Sequence, residues 1–188
     1  TLGKEHPDYA KSLNNLAAVY HKTGRYEKAE PLFLEAKIIR EKTLGTAHPS
    51  YMESLNNLGV LYLKMRNYGK SEQYFLEALA IREKTLGKEH ADYIGSLNTL
   101  AEMYFESGNF QKAEPLLLEA KAIREKTPGA NHSDYAASLN NLANLYQSMR
   151  NYDKAELFLL EVKAIREKTL GAAHPDYASS LKNLASLY

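Results

Sequence analysis

The sequence predicts an all-α chain, in which pairs of helices joined by short turns stack one after another into a solenoid. Three observations carry this prediction. The motif SLNNLA stands at Ser12–Ala17 and Ser138–Ala143, with SLNNLG at Ser54–Gly59, SLNTLA at Ser96–Ala101 and SLKNLA at Ser180–Ala185, so the starts are 42 residues apart. A fixed period of this size marks an array in which each unit buries its apolar face against the next. Each unit also carries two apolar stripes at helical spacing. Glycine and proline punctuate the stripes. The 188 residues therefore read as a single array, with repeats at 1–42, 43–84, 85–126 and 127–168 and a half repeat at 169–188.

The first unit shows how each element arises. In His6–Thr23, HPDYAKSLNNLAAVYHKT, the residues Tyr9, Leu13, Leu16, Ala17 and Tyr20 form the stripe of an amphipathic helix. Pro7 suits the first helical position, where its missing N–H is not needed. Gly24 supplies the stop. A second helix runs from about Tyr26 to Thr43, with Ala29, Leu32, Phe33, Ala36 and Ile39 as its stripe and Gly45 as its end. Its acids come early (Glu27, Glu30) and its bases late (Lys37, Arg40, Lys42), as the helix dipole favours. Pro31 and Pro115 lie near the start of such helices and should bend them slightly without breaking them. LGTAHPSY, at Leu44–Tyr51, connects to the next unit.

These elements recur in columns. Gly3, Gly45, Gly87, Gly129 and Gly171 form one, and His6, His48, His90, His132 and His174 another. Ile-Arg-Glu-Lys ends every second helix, with its Arg at 40, 82, 124 and 166. A longer period is visible too: Pro31 matches Pro115, and Met65-Arg66-Asn67 matches Met149-Arg150-Asn151.

Leu16-Ala17, Tyr20, Gly24, Tyr26, Ala29, Phe33 and Ala36 fall at the spacings of the tetratricopeptide repeat, and the chain resembles that family along its whole length. Residues 10–43 correspond to the usual unit. Residues 44–51 are an extension like that of kinesin light chains and related bacterial arrays. Armadillo repeats run near this length but lack the Leu-Ala-x-x-Tyr and Gly-x-Tyr signature. Two departures stand out: Arg66 and Arg150 replace the helix-ending glycine, and Leu13 stands where the family often has Trp. The resemblance implies a right-handed α-solenoid whose first helices line a concave groove. It also implies that asparagines of that groove bind peptide main chain.

Asparagine is a mediocre helix former, at a cost of up to about 0.7 kcal/mol in a helix interior, because its side chain competes for backbone hydrogen bonds. A pair in the first helix of most units therefore asks for a reason. On a helical wheel Asn14 lies at the edge of the apolar stripe and Asn15 points away from it. Stacked along the implied groove, Asn14, Asn15, Asn56, Asn57, Asn98, Asn140 and Asn141 become ladders of amides. Each offers a donor and an acceptor and can grip the backbone of an extended peptide. An asparagine bonded to a neighbouring unit would instead serve stability alone.

Variable positions on the same polar face should carry selectivity. One column reads His21, Leu63, Phe105, Gln147, and another Ala18, Val60, Glu102, Asn144. Val60, Leu63 and Phe105 are expected to form an exposed apolar patch, the kind that marks a binding site. Lys11, His21 and Lys22 make the first unit basic, while Glu102 and Glu106 make the third acidic.

Signals for other chemistry fail. The net charge of +1 gives no reason to expect nucleic acid or an acidic membrane. No apolar run approaches the roughly 18 residues of a membrane span. The chain has no cysteine, which fits a reducing compartment and hence a cytoplasmic location. Stacked helices sit about 8–10 Å apart, too far for two histidines of the column to share a metal at about 2 Å. Helix capping is the better reading of that column. The Arg-Glu-Lys runs read as solvated helix ends open to salt bridges between repeats, and the fourteen tyrosines as packing residues. No catalytic constellation stands apart from the repeat, so no enzyme, metal or cofactor is expected.

The function expected is a protein-interaction module that takes an extended peptide or partner helix in its groove. The alternative is a structural spacer or self-associating scaffold with no groove ligand. The missing initiator Met and the stop inside a unit are expected of a piece of a longer protein. The last segment, Pro175–Tyr188, is a first helix without its second, and the two unlike ends are expected to associate head to tail.

Overall fold

A computed structural model describes residues 3, 5–126 and 132–187, and of His132 the backbone alone. Gly129 and Tyr188, both singled out above, lie outside the described residues. Among those described, all regular structure is helical: α1 (Pro7–Lys22), α2 (Tyr26–Leu44), α3 (Pro49–Lys64), α4 (Tyr68–Leu86), α5 (Ala91–Glu106), α6 (Phe110–Lys126), α7 (His132–Ser148), α8 (Tyr152–Leu170) and α9 (Pro175–Ala185). Odd-numbered helices are the first helices of the repeats and even-numbered ones the second, so the chain is the all-α solenoid of helix pairs that the sequence predicts. It divides into two compact units, Thr1–Ser96 and Leu97–Tyr188, with the boundary inside α5.

Six of the described helix starts are capped by a side chain of their own sequence. The Nδ1 atoms of His6, His48, His90 and His174 accept hydrogen bonds from the backbone N–H groups of Asp8, Ser50, Asp92 and Asp176 at 3.1–3.2 Å. These four histidines of the column are thus N-caps, in a role usually taken by Ser, Thr, Asp or Asn. Asn67 and Asn151 cap α4 and α8 through Oδ1, each accepting at 3.2 Å from the N–H three residues on. Pro31 and Pro115 lie inside α2 and α6, which run on uninterrupted.

The turn inside each repeat needs a left-handed residue. Gly24 has φ 73°, and Arg66 and Arg150 take the same region at 57° and 58°. The turn imposes that conformation on Arg at a cost of about 1–2 kcal/mol. The bond that closes it is the same in both cases: Arg25 N–H to Tyr20 C=O at 2.9 Å, and Asn67 N–H to Tyr62 C=O at 2.8 Å.

In the first unit α2 packs against both α1 and α3, and α3 against α4. Ala17, Ala29, Phe33, Leu58, Leu61 and Tyr62 make one buried cluster, and Ala10, Leu13, Ala36 and Ile39 a second. The alanines let helices approach, and Phe33 fills the space between them. Gly59 is the extreme of this device, since a Cβ there would lie 2.5 Å from the buried Phe75 ring. In the second unit α7 packs against α6 and α8, and α8 against α9, over Ala136, Leu139 and Val162. One expected core residue differs. Leu16 is 45% exposed whereas Leu58 and Leu142 are fully buried, because α3 and α7 have helices on both flanks and α1 has them on one.

The Ile-Arg-Glu-Lys ends are not uniformly solvated, as the sequence reading had them. Arg40 is only 4% exposed. It donates to Ser54 Oγ at 2.8 Å and to the Ser50 carbonyl at 2.9 Å, both in the first turns of α3. Arg124 makes the same pair of bonds to Ser138 (2.7 Å) and Asp134 (2.8 Å), and Arg166 to Ser180 and Asp176 (2.9 Å each). Arg82 donates to Ser96 Oγ. Every serine so bonded is buried. Ser12, which has no such arginine, is exposed and turns its hydroxyl to the Asp8 carbonyl. Only the Glu-Lys part of the motif is the solvated end.

Candidate functional site

The paired asparagines have different fates in the two units. In the first unit Asn14 is 5% exposed. Its Oδ1 accepts from Asn57 Nδ2 at 2.9 Å, and its Nδ2 donates to Glu53 Oε1 at 3.2 Å. The other oxygen of Glu53 pairs with Arg40 at 3.3 Å. One network thus runs from the arginine clamp through a carboxylate to two amides on neighbouring first helices. Asn14 and Asn57 hold α1 to α3 and have little left for a ligand. Asn15 and Lys22 are exposed, and Asn56 is half-buried.

Of Val60, Leu63 and Phe105, all expected to be exposed, only Phe105 is. Leu63 is 7% exposed and Val60 half-buried. Leu61, Tyr62 and Leu63 are consecutive and all buried, so α3 is covered well beyond its apolar stripe. Residues one step off that stripe lose their solvent when a first helix has neighbours on both sides. His21, in the same column as Leu63, shows the effect in α1. It is half-buried against the Tyr26 ring at 5.6 Å, and burial together with nearby Lys64 pushes its pKa below the usual histidine value.

In the second unit the first helices α5 and α7 face each other across an open cleft of about 590 Å³. From α5 come Asn98, Ala101, Glu102 and Phe105, a single face at i, i+3, i+4 and i+7. From α7 come Asn141, Asn144 and Gln147, and Leu117 of α6 also contributes. Phe105 is 37% exposed, with its ring 5.5 Å from that of Phe110. Asn141 and Asn144 are exposed. Asn140 lies outside the cleft lining. Its Nδ2 donates to the Ala136 carbonyl at 3.1 Å, and its Oδ1 is buried without a partner. The structure therefore brings together Asn98, Phe105, Asn141 and Asn144 of the predicted residues. Leu117 was missed because its spacing marks it only as core, although it reaches the cleft floor. Glu102 and Gln147 were visible as members of the variable columns on the polar face.

Among the described residues no three His, Asp or Glu side chains are grouped to hold a metal, and no helix is long and apolar enough to cross a membrane.

The sequence profile of the tetratricopeptide repeat matches residues 8–84, 52–126, 92–168 and 140–188. The chain belongs to the tetratricopeptide repeat family. This repeat chain is also similar to solved structures. One is a kinesin light chain candidate of Podosopora anserina built from nearly identical TPR-like repeats. It is 33% identical with a TM-score of 0.81, over 97% of this chain and 87% of that one. A single-substitution variant of that protein aligns at 31% identity and TM-score 0.81, over 100% and 88% of the two chains. BtubC from P. vanneervenii aligns at 25% identity and TM-score 0.76, over 93% and 69%. No curated protein matches.

The Asn14–Asn57 bond separates structural from exposed amides in one experiment. Asn57→Ala leaves the buried Asn14 oxygen without a donor and should cost about 1–3 kcal/mol. Asn15→Ala removes an exposed amide from a helix interior and should raise stability by a few tenths of a kcal/mol, ~0.7 at most. Denaturant unfolding of the two variants checks this. Equal effects would show that the position within the pair is irrelevant.

Proposed function

We propose that this tetratricopeptide repeat chain binds an extended segment of a partner protein on the face formed by its first helices, without catalysis. The α5–α7 cleft is the observation that carries the reading. It is open and flanked by two facing helices. Asn141, Asn144 and Gln147 on one wall offer donors and acceptors at helical spacing. Amides of this kind suit a peptide backbone, which presents an N–H and a C=O at every residue. In the first unit Asn15 and Asn56 are the amides left for the same role, since Asn14 and Asn57 are bonded to each other. A chain with no cysteine suits a reducing compartment, and we propose the cytoplasm.

A selection from a display library of short peptides, followed by titration of the enriched sequences, tests the reading. Enriched peptides should lose about five-fold or more in affinity on Asn141→Ala/Asn144→Ala, as the loss of two hydrogen bonds of about 0.5–1.5 kcal/mol each implies. A selection that enriches nothing against the folded chain would overturn it and leave the spacer role.

A second copy of the chain is a further proposed partner. Leu16 and Val19 on α1 and Leu181 on α9 are exposed apolar residues, which suit a head-to-tail contact of modest affinity. Sedimentation should show mass rising with concentration, and a single monomeric species throughout would contradict it.

A further inference from the structure

One hydrogen bond of the first unit has no counterpart in the second, and its absence there points to a ligand. In the first unit the Asn14 oxygen accepts from Asn57, while Glu53 holds the Asn14 amide from the other side. Asn98 and Asn141 occupy the equivalent positions in α5 and α7. There the bond is not made, and Asn98 Oδ1 is buried with no partner. A sequence reason is at hand: the place of Glu53 is taken in α7 by Ala137, so no carboxylate orients the Asn98 amide. A buried carbonyl oxygen without a donor is costly, and its persistence needs an explanation.

Asn98 lines the cleft, and turning its amide about χ2, a broad torsion, would bring the buried oxygen to a donor there. One turn further along α5 stands Glu102, exposed and without an ion-pair partner. The equivalent residues are Ala18, Val60 and Asn144, so this charge is peculiar to the third repeat. No Lys, Arg or His is among the residues lining the cleft. Beyond Glu102 on the same face lies the half-exposed ring of Phe105, with Leu117 contributing from α6. The cleft therefore presents an unmet acceptor, then a carboxylate, then an apolar surface. It asks for an N–H donor, then a cation, then an apolar group.

We infer that the α5–α7 cleft selects an extended peptide that carries lysine or arginine next to a large apolar residue. The inference rests on the peptide-binding reading above and adds the chemistry of the ligand. The backbone N–H of the peptide satisfies Asn98, its cationic side chain pairs with Glu102, and its apolar side chain lies on Phe105. An acidic peptide meets like charge with no neighbouring cation to offset it.

Three labelled peptides with the core Leu-Xaa-Leu, where Xaa is Lys, Gln or Glu, test this by fluorescence anisotropy. The Lys peptide should bind roughly two- to five-fold tighter than the Gln peptide, the range an exposed ion pair supplies, and the Glu peptide weakest. The gap should shrink as salt is raised. Glu102→Gln should make the Lys and Gln peptides equal. Asn98→Ala should weaken all three peptides while raising the melting temperature, because it removes an unmet buried acceptor. A fall in melting temperature would instead show that Asn98 serves the fold and would overturn its part. Equal affinity for the three peptides, or a Lys preference that survives Glu102→Gln, would overturn the selectivity and leave the peptide-binding reading standing. No binding by any of the three alongside a productive library selection would do the same. No binding together with an empty selection would overturn both.

Discussion

The bond from the arginine of Ile-Arg-Glu-Lys to the serine of Ser-Leu-Asn-Asn-Leu-Ala joins each repeat to the next. The arginine ends a second helix, and the serine lies inside the following first helix, 14 residues on. A guanidinium taken out of water is costly unless its donors are met. Arg40 meets that demand with a carbonyl, a hydroxyl and a carboxylate, all on α3. The planar fork of the guanidinium fixes direction as well as distance, so α3 has one rotation about its own axis that satisfies it. Apolar packing alone is less selective, because Leu and Ala stripes tolerate small rotations and slides. Histidine caps complete the joint at α1, α3, α5 and α9 by starting those helices at the same residue of the repeat.

Once that rotation is set, the amides have no further choice. Asn14 and Asn57 are brought within hydrogen-bonding distance, and Glu53 ties the amide pair to the arginine clamp. The same geometry without Glu53 leaves Asn98 short of a donor and the α5–α7 cleft open. One repeat design thus gives a closed rung where a carboxylate is present and an open one where it is not. The amide bond across the rung and the open cleft are drawn from the same column of asparagines.

Helix positions, caps and the core stripes were legible in the sequence because they depend on residues within one helix. His6, Gly24 and Ala29 need no knowledge of a neighbour. The role of Arg40 was not legible from charge, since a run of Arg-Glu-Lys looks solvated. Its signal was the serine 14 residues on, at Ser54, Ser96, Ser138 and Ser180. Asn14 was correctly placed at the edge of the apolar stripe. An edge becomes interior once a second first helix lies beside it, and a single helical wheel cannot show that. Leu63 was misjudged for the same reason. The cleft residues were legible one by one, but Leu117 and the face shared by Asn98, Glu102 and Phe105 needed the packing.

A double-mutant cycle on Arg40 and Ser54 tests most directly whether the arginine–serine bond organises the array. Arg40→Leu, Ser54→Ala and the double variant are unfolded by denaturant and compared with the parent. The account predicts a coupling energy of about 1.5–3 kcal/mol, as expected of a hydrogen bond to a charged group. Additive losses, with coupling below about 0.5 kcal/mol, would contradict it and leave apolar packing to set the register of the repeats.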